Sequence, residues 1–404
     1  MAMRALVVTE YYPQVADPVR GIWVHRQTLA AKDAGADVRV LVLHRPLPSL
    51  AALGSREAAA ISRSLRLPRR GELDGVPIEF LNYVSPPRPW SYASWGAWAA
   101  PTLAVRLRRL RRTFPYDLIH AHYAVPAGDA VRRALPKVPM LVSVHGHDVY
   151  GELAGDRVVK AALAHAGLVL ANSAETARRS EANGARHTQV VHLGADVPDD
   201  PSPALSAERP SLVTVAHLAS RKRHRDVIDA LSLLHCKRPD LRYVIVGDGP
   251  ERPRLAQQAS ELGLSERIEF AGALPHRQAQ ASAASATLFV MPSVDEAFGV
   301  AYIEAMAGEV PAIGSRGESG PEEIAAAGGG IELVAPRSPE ALAAKIDELL
   351  SDQERLKALG RIARETVQQE FTWPHCGRRT LAAYEALLAT TAAPGRPKEP
   401  RDGA

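Results

Sequence analysis

Two carboxylates, Glu296 and Glu304, flank a helix start in the segment Pro292 to Pro311, P-S-V-D-E-A-F-G-V-A-Y-I-E-A-M-A-G-E-V-P, with seven residues between them. The pattern predicts a buried strand, a short loop carrying Glu296, and a helix that opens near Phe298 and Gly299, carries Glu304 and stops around Gly308. Backbone N–H groups at a helix start lack intrahelical partners and carry partial positive charge, which suits a phosphate or a sugar oxygen. Gly299 lets such a ligand come close. The two carboxylates can accept hydrogen bonds from vicinal hydroxyls, each charge-assisted bond contributing about 1.5–3 kcal/mol. Sugars and riboses supply those hydroxyls.

Four further segments offer matching chemistry. Val213 to Ala230 reads as a strand, a basic loop with Arg221, Lys222 and Arg223, and an amphipathic helix, so its cations sit where a pyrophosphate would lie. In V-I-V-G-D-G-P, Gly247 and Gly249 make a tight strand-to-helix turn, and Asp248 with Gly249 can line a nucleotide pocket. That segment lacks the third glycine of a dinucleotide fingerprint and does not follow the first strand, so an NAD site is not expected. At V-S-V-H-G-H-D-V a buried strand ends in His145, Gly146, His147 and Asp148, and open α/β sheets hold ligands at strand carboxyl ends. Tyr11 to Gln27 follows the first strand and enters a helix at about Gly21, whose backbone can face a donor phosphate.

Set in E-A-F-G and E-A-M-A, the two glutamates resemble the signature of glycosyltransferase family 4, whose fold is GT-B: two Rossmann-like α/β domains with parallel sheets facing an interdomain cleft. The resemblance implies a retaining transferase that uses a nucleotide-sugar donor and needs no cofactor or essential metal. It implies that Glu296 holds hydroxyls of the transferred sugar, with N–H groups of Phe298 and Gly299 beside it, and that Glu304 binds the ribose. Lys222 matches the diphosphate-binding lysine and His145 the active-site histidine that faces the sugar. Three positions depart from the pattern: His217 stands where arginine is common, Ala216 replaces a glycine, and Arg223 replaces a later one. A neutral histidine lacks the fixed charge and fork of arginine, which leaves Arg221 or Arg223 to supply the second cation. The form P-x-R-G-x-W-V-H-x-Q looks like the subset that builds teichuronic acids and other extracellular polysaccharides.

The elements that must position these groups follow from short apolar runs alternating with amphipathic stretches, the mark of βα units on parallel sheets. Strands are expected near Ala5–Val8, Asp37–Leu43, Pro77–Leu81, Leu118–Ala121, Met140–Val144, Leu168–Ala171 and Gln189–His192 in the first half. In the second half they are expected at Leu212–Ala216, Tyr243–Val246, Ile268–Phe270, Leu288–Met291 and Ala312–Ile313. The proline-rich stretch from Val197 to Pro210 cannot continue a helix or a central strand. The expected organisation is an acceptor-side domain over 1–197, a linker over 198–210, and a nucleotide-sugar domain over 211–370. A helix over 371–389 then returns to the first domain, and a disordered tail covers 390–404.

At 404 residues, 46% hydrophobic and 23% charged, the chain fits a two-domain globular protein. Its two cysteines, Cys236 and Cys376, form no disulfide framework or zinc spacing, and the opening apolar run is too short to span a bilayer, so a cytoplasmic protein is expected. The net charge of +4 is uneven: residues 1–200 hold 25 basic and 18 acidic side chains. Arg106, Arg108, Arg109, Arg111 and Arg112 interleave with Leu103, Leu107 and Leu110, which fall on one helical stripe. That arginine face is either solvated or in peripheral contact with an anionic membrane at its inner face, while no motif for nucleic acid accompanies it. Acceptor recognition falls to the first domain, where Pro86 to Trp98 is rich in aromatic side chains and His120 to Gly128 adds histidines. Trp90, Trp95 and Trp98 there fit sugar stacking, a membrane interface or core packing. The expected partners are a nucleotide-sugar donor and a glycan, lipid-linked or small-molecule acceptor. Two rival readings are a nucleotide-sugar epimerase of the same architecture and a non-catalytic sugar-nucleotide binder.

Overall fold

The computed structural model describes residues 2–14, 17, 19–46, 69–87, 91–151, 153–200 and 210–392. In the first half, strands β1 (Arg4–Thr9), β2 (Asp37–His44), β3 (Arg70–Leu73), β4 (Val76–Asn82), β5 (Leu118–His122), β6 (Met140–Val144), β7 (Leu168–Ala171) and β8 (Thr188–Val190) form one sheet. Its order is β3-β4-β2-β1-β5-β6-β7-β8. All pairs are parallel except β3 with β4. Alternate residues of β1 serve opposite layers: Leu6 and Val8 pack under helix Trp95–Thr113, Ala5 and Val7 under helix Ile22–Asp33. Burial on both faces is why the middle of β1, Ala5 to Val8, is an unbroken apolar run. The leucine stripe also holds, since Leu103, Leu107 and Leu110 are all buried in the first of those layers.

The second half adds β9 (Ser211–Val215), β10 (Arg242–Val246), β11 (Ile268–Gly272), β12 (Leu288–Val290), β13 (Ala312–Ser315) and β14 (Ile331–Val334). They make a parallel sheet of order β11-β10-β9-β12-β13-β14. In each sheet the strand order reverses next to the first strand of its domain, and that reversal leaves a crevice at the strands' carboxyl ends. The loops after β6, β9 and β12 carry His145, Lys222 and Glu296.

The helix Trp373–Ala392 lies on the first domain, with Gln27 Nε2 donating to Thr380 Oγ1 at 3.1 Å and Gly377 seated against the Ala30 carbonyl. The two domains therefore share one chain-crossing support.

Four readings of the elements change. Arg70–Leu73 forms an antiparallel hairpin arm with β4 that its polar residues concealed, and Ile331–Val334 adds an edge strand beside β13. The strand expected at Gln189–His192 is Thr188–Val190. Thr390 to Ala392, expected within the tail, continue the last helix, with Thr390 and Thr391 hydroxyls donating to Leu387 O. Residues 393–404, linker residues 201–209 and Trp90 lie outside the described residues.

Candidate active site

Glu296 is placed by a strand end and a helix start. After β12 the chain turns through Ser293, Asp295 and Glu296 and enters helix Val300–Ala307 at Gly299, which takes φ +84°. A Cβ on Gly299 would lie 2.5 Å from the Tyr302 ring, so this turn needs glycine both for its backbone and for its packing. The Glu318 carboxylate accepts from Glu296 N at 2.8 Å and fixes the loop.

Lys222 comes from a short turn after β9 and reaches Glu296, its Nζ donating to Oε2 at 2.5 Å. Arg221 Nη1 lies 3.6 Å from the same oxygen. Burial opposes the charge on Glu296, yet Lys222 and Arg221, with hydrogen bonds from Lys222 and Ser293, overcome it and hold the carboxyl pKa below its ordinary value. Burial likewise pulls the Lys222 ammonium down, and Glu296 returns part of that shift. The result is a dry ion pair with a cationic rim.

Arg223 follows in the left-handed region at φ +58°, the backbone conformation a glycine would favour, and its guanidinium grips Asp226 at 2.7 and 2.8 Å. Arg221 is thus the second cation at the site. His217 lines a neighbouring cavity that does not include Glu296.

Across the cleft, His145 Nε2 lies 2.9 Å from His122 Nδ1, the two rings stacked within 8° of parallel. Burial pushes the His145 pKa down to about 3, so the ring is neutral across ordinary pH. Beneath it Asp148 accepts from Ala124 N at 3.0 Å, and burial raises its pKa to about 7. Gly146 packs against Ala297 of the second domain: a Cβ there would stand 2.9 Å from the Ala297 Cβ.

One interdomain cavity of about 500 Å³ has His145, Arg221, Lys222, Glu296, Phe298, Gly299 and Glu304 in its lining. Glu304 sits one helical turn in from the opening, near Gln280 Nε2 and His276 Nε2, each 3.4 Å from its Oε1. Burial raises its pKa to about 7, opposed by Gln280, reinforced by Asp196 and opposed by Arg26.

Four residues expected at the site do not line this cavity. Gly21 lies in an adjoining cavity with Glu10, Arg20, Arg45, Trp95 and His217, and Trp23 lines both. Gly247, Asp248 and Gly249 pack on the loop after β9: Leu218 N donates to Asp248 O at 3.0 Å, and a Cβ on Gly249 would lie 2.7 Å from Leu218 O. Their part in the geometry is to hold the loop that ends in Lys222. Sequence reasoning named His122 only within the acceptor-side segment His120 to Gly128, and missed Arg26 and His276. The first and last stand at or just after the carboxyl ends of β5 and β11, a position that marks them as candidates. Arg26 had no signal beyond its helix. Among the described residues no group of three His, Cys, Asp or Glu side chains could hold a metal ion.

Comparisons with known proteins agree with this fold. The family model "Glycosyltransferase Family 4" matches residues 20–198 and "Glycosyl transferases group 1" matches residues 198–366. A GDP-mannose-dependent alpha-(1-6)-phosphatidylinositol monomannoside mannosyltransferase of Mycolicibacterium smegmatis is 29% identical over 305 residues, covering 69% of this chain and 79% of the relative. Among solved structures, a sucrose-phosphate synthase from Thermosynechococcus elongatus superposes with TM-score 0.75 at 22% identity, covering 96% of this chain and 100% of that one. Anabaena HepE, solved in complex with UDP and glucose, superposes with TM-score 0.70 at 21% identity, covering 95% and 100%. With two Rossmann-like domains, a cleft between their strand ends and both family models in sequence, the chain belongs to the GT-B glycosyltransferases, its first half of family 4 and its second of group 1.

Proposed function

We propose that this glycosyltransferase moves a hexosyl group from a nucleotide-sugar donor to an acceptor with retention of configuration, and that the donor occupies the 500 Å³ cavity. The observation that carries the reading is the Lys222–Glu296 pair standing opposite His145 across that cavity. In this reading Glu296 and His145 hold hydroxyls of the sugar, Lys222 and Arg221 face the diphosphate, and Glu304 accepts from the ribose. Phe298 and Gly299 bring the helix-start N–H groups to the leaving group, while Gly21 stays at the adjoining cavity. Gly247, Asp248 and Gly249 support the nucleotide side. The relatives, one GDP-mannose-dependent and one bound to UDP and glucose, support a nucleotide-sugar donor without choosing its base.

The reaction breaks the bond from the anomeric carbon to the diphosphate and forms one to the acceptor oxygen. The acceptor's proton passes to the departing diphosphate oxygen on the same face, so no protein nucleophile is needed. Positive charge builds on the sugar and negative charge on the diphosphate, and preorganised cations and amides in a water-poor cleft stabilise that separation. Neither a metal nor another cofactor enters the scheme.

The acceptor would bind from the first domain. A lipid-linked or glycan acceptor in polysaccharide or glycolipid synthesis fits the phosphatidylinositol mannoside named for the mycobacterial relative. Helix Trp95–Thr113 turns Trp98, Val105, Arg108, Arg109 and Arg112 to solvent, a face suited to an anionic membrane. No helix among the described residues is long and apolar enough to cross a membrane.

The test is incubation with GDP-mannose and UDP-glucose, in the presence of EDTA, with mannoside and glycolipid acceptors. Acceptor-dependent release of nucleoside diphosphate and an NMR coupling constant showing retained anomeric configuration are expected. Glu296→Gln and Lys222→Gln should lose transfer by more than about a hundredfold, or ~2.7 kcal/mol, while still melting cooperatively. Inverted product, or undiminished turnover in both variants, would overturn the reading.

A further inference from the structure

A second cavity, of about 750 Å³, adjoins the first at Trp23, which lines both. That volume falls within the ~300–1,000 Å³ usual for small-molecule sites. The partition is thin beyond Trp23 as well, since Tyr11 of the second cavity and Tyr123 of the first meet with ring centroids 5.1 Å apart. A ligand here would lie beside whatever fills the donor cavity.

The walls of this cavity are held in place before any ligand arrives. Arg45 lies over the Trp95 ring at 5.0 Å, its Nε donating to Ser85 Oγ at 3.0 Å and its Nη2 to Ser85 O at 3.1 Å. Arg20 lies over the Tyr11 ring at 5.1 Å, with Nη2 3.9 Å from Glu10 Oε1. Glu10 Oε2 accepts from Tyr92 OH at 2.9 Å. Among the described lining residues two guanidiniums, Arg20 and Arg45, stand against two carboxylates, Glu10 and Asp17. Such a balance exerts no net pull on an anion or a cation. It suits a ligand that donates to carboxylates and accepts from guanidiniums at once, which is what neutral hydroxyls do.

His217 is the one described lining residue that comes from the second domain. It is exposed in the loop after β9, and Gly249 leaves its ring a place, because a Cβ there would lie 2.9 Å from His217 Cε1. Arg221 and Lys222 of the same loop line the donor cavity. One loop therefore serves both cavities, with its cations on the donor side and its histidine on the other.

We propose that this second cavity is a subsite for a neutral sugar ring of the acceptor, held by Glu10 and Arg20 of the first domain and His217 of the second. The acceptor role rests on the function proposed above, whereas affinity for a neutral sugar does not.

The test uses the whole chain with saturating GDP or UDP, followed by saturation-transfer NMR. The probes are the methyl α-pyranosides of mannose, glucose and galactose, with methyl α-glucuronide and mannose 6-phosphate as acidic counterparts. At least one neutral glycoside should bind, and more tightly than either acidic sugar. His217→Ala and Arg20→Ala should each weaken it by about tenfold or more, or ~1.4 kcal/mol, with nucleoside diphosphate affinity unchanged. His217→Gln keeps a donor and an acceptor and should retain most of the binding. Tighter binding of an acidic sugar, no binding of any neutral glycoside, affinity that survives both alanine variants, or lost diphosphate affinity in His217→Ala would each overturn the proposal. A chain that transfers sugar with acceptor KM unchanged in both variants loses the subsite and keeps the function. One that transfers nothing yet binds glycosides through His217 loses the function and keeps the sugar site.

Discussion

Gly146 of the first domain and Ala297 of the second meet face to face at the floor of the cleft, with room for no side chain between them: a Cβ on Gly146 would stand 2.9 Å from that of Ala297. Gly146 also holds φ +93°, which L side chains resist at a cost of about 1–3 kcal/mol. Gly146→Val should therefore hold the domains apart more than it unfolds either one. The expected result is a donor KM raised tenfold or more, with a larger radius of gyration by small-angle scattering. Gly146→Val with an unchanged KM would show that the contact is incidental.

Lys222 and Glu296 are both mostly buried, at 11% and 6% side-chain exposure, so removing one leaves the other's charge uncompensated. Truncating one partner of such a pair typically costs about 3–5 kcal/mol, whereas replacing both by apolar residues is often near neutral. Lys222→Met and Glu296→Leu should each lower the denaturation midpoint. Lys222→Met combined with Glu296→Leu should recover most of the loss and remain inactive. Denaturant titration of the four proteins gives the coupling, and a double variant as unstable as the sum of the singles would deny it.

Glu304 ties the site to pH. Burial, resisted by Gln280, increased by Asp196 and resisted by Arg26, raises its pKa to about 7, and the neighbouring His276 is neutral there because burial lowers its own. A carboxyl whose folded pKa is raised contributes stability at low pH and loses it as pH rises through about 7. Ligand binding runs the other way, since ribose hydroxyls donate to the carboxylate. Nucleoside diphosphate affinity should rise about tenfold from pH 6 to pH 8, by the one-unit rule of proton competition. Isothermal titration should find a flatter profile in Glu304→Gln; the same slope in both would assign the effect to the phosphate instead.

The exposed face with Trp98, Val105, Arg108, Arg109 and Arg112 is expected to bind vesicles containing anionic lipid. Arg106 adds little, being paired with Glu79, and Arg111 lies over Tyr116. At about 1 kcal/mol per basic residue near the surface, replacing Arg108, Arg109 and Arg112 with Ala should weaken partitioning by about a hundredfold. Sedimentation with phosphatidylglycerol vesicles measures it. Equal pelleting with neutral vesicles would remove the electrostatic argument.

Much of this architecture was legible because apolar runs buried on both faces leave a plain record. Strand Leu168–Ala171 coincides with its expected bounds, and β1, β2, β5 and β6 extend them by at most a residue at either end. Arg70–Leu73 escaped because an edge arm facing solvent carries polar residues and has no burial pattern to show. At the site, Glu296, Lys222 and His145 were readable from local strand-to-helix turns. His122 was read only as part of an acceptor-side segment, because its place beside His145 is a stacking distance between two strands, and Glu318 was not read, because it acts from 22 residues beyond Glu296. Local chemistry is written in spacing; contacts between elements are not.

Glu323 joins the two domains behind the cavity. Its Oε1 accepts from Ala174 N at 2.7 Å and from Ser319 Oγ, while its Oε2 meets His192 Nε2 at 2.7 Å. His192 in turn stacks on Phe298, within 24° of parallel, beside the helix start that carries the proposed leaving-group amides. Burial raises the Glu323 pKa, but the bonds from His192, Ser319 and Ala174 outweigh it and leave the carboxyl below its ordinary value. A lowered carboxyl pKa gives stability that is present above the unfolded value and lost as pH falls through the folded one. The clasp should therefore open in acid, and Glu323→Ala should mimic that opening at neutral pH. Donor KM is expected to rise several-fold with the melting temperature little changed, because each domain keeps its own core. Small-angle scattering should show the variant expanded without ligand and closing on saturating nucleotide. A variant as compact as the parent protein, with the same KM, would mean that Phe298 and Gly146 hold the domains without Glu323.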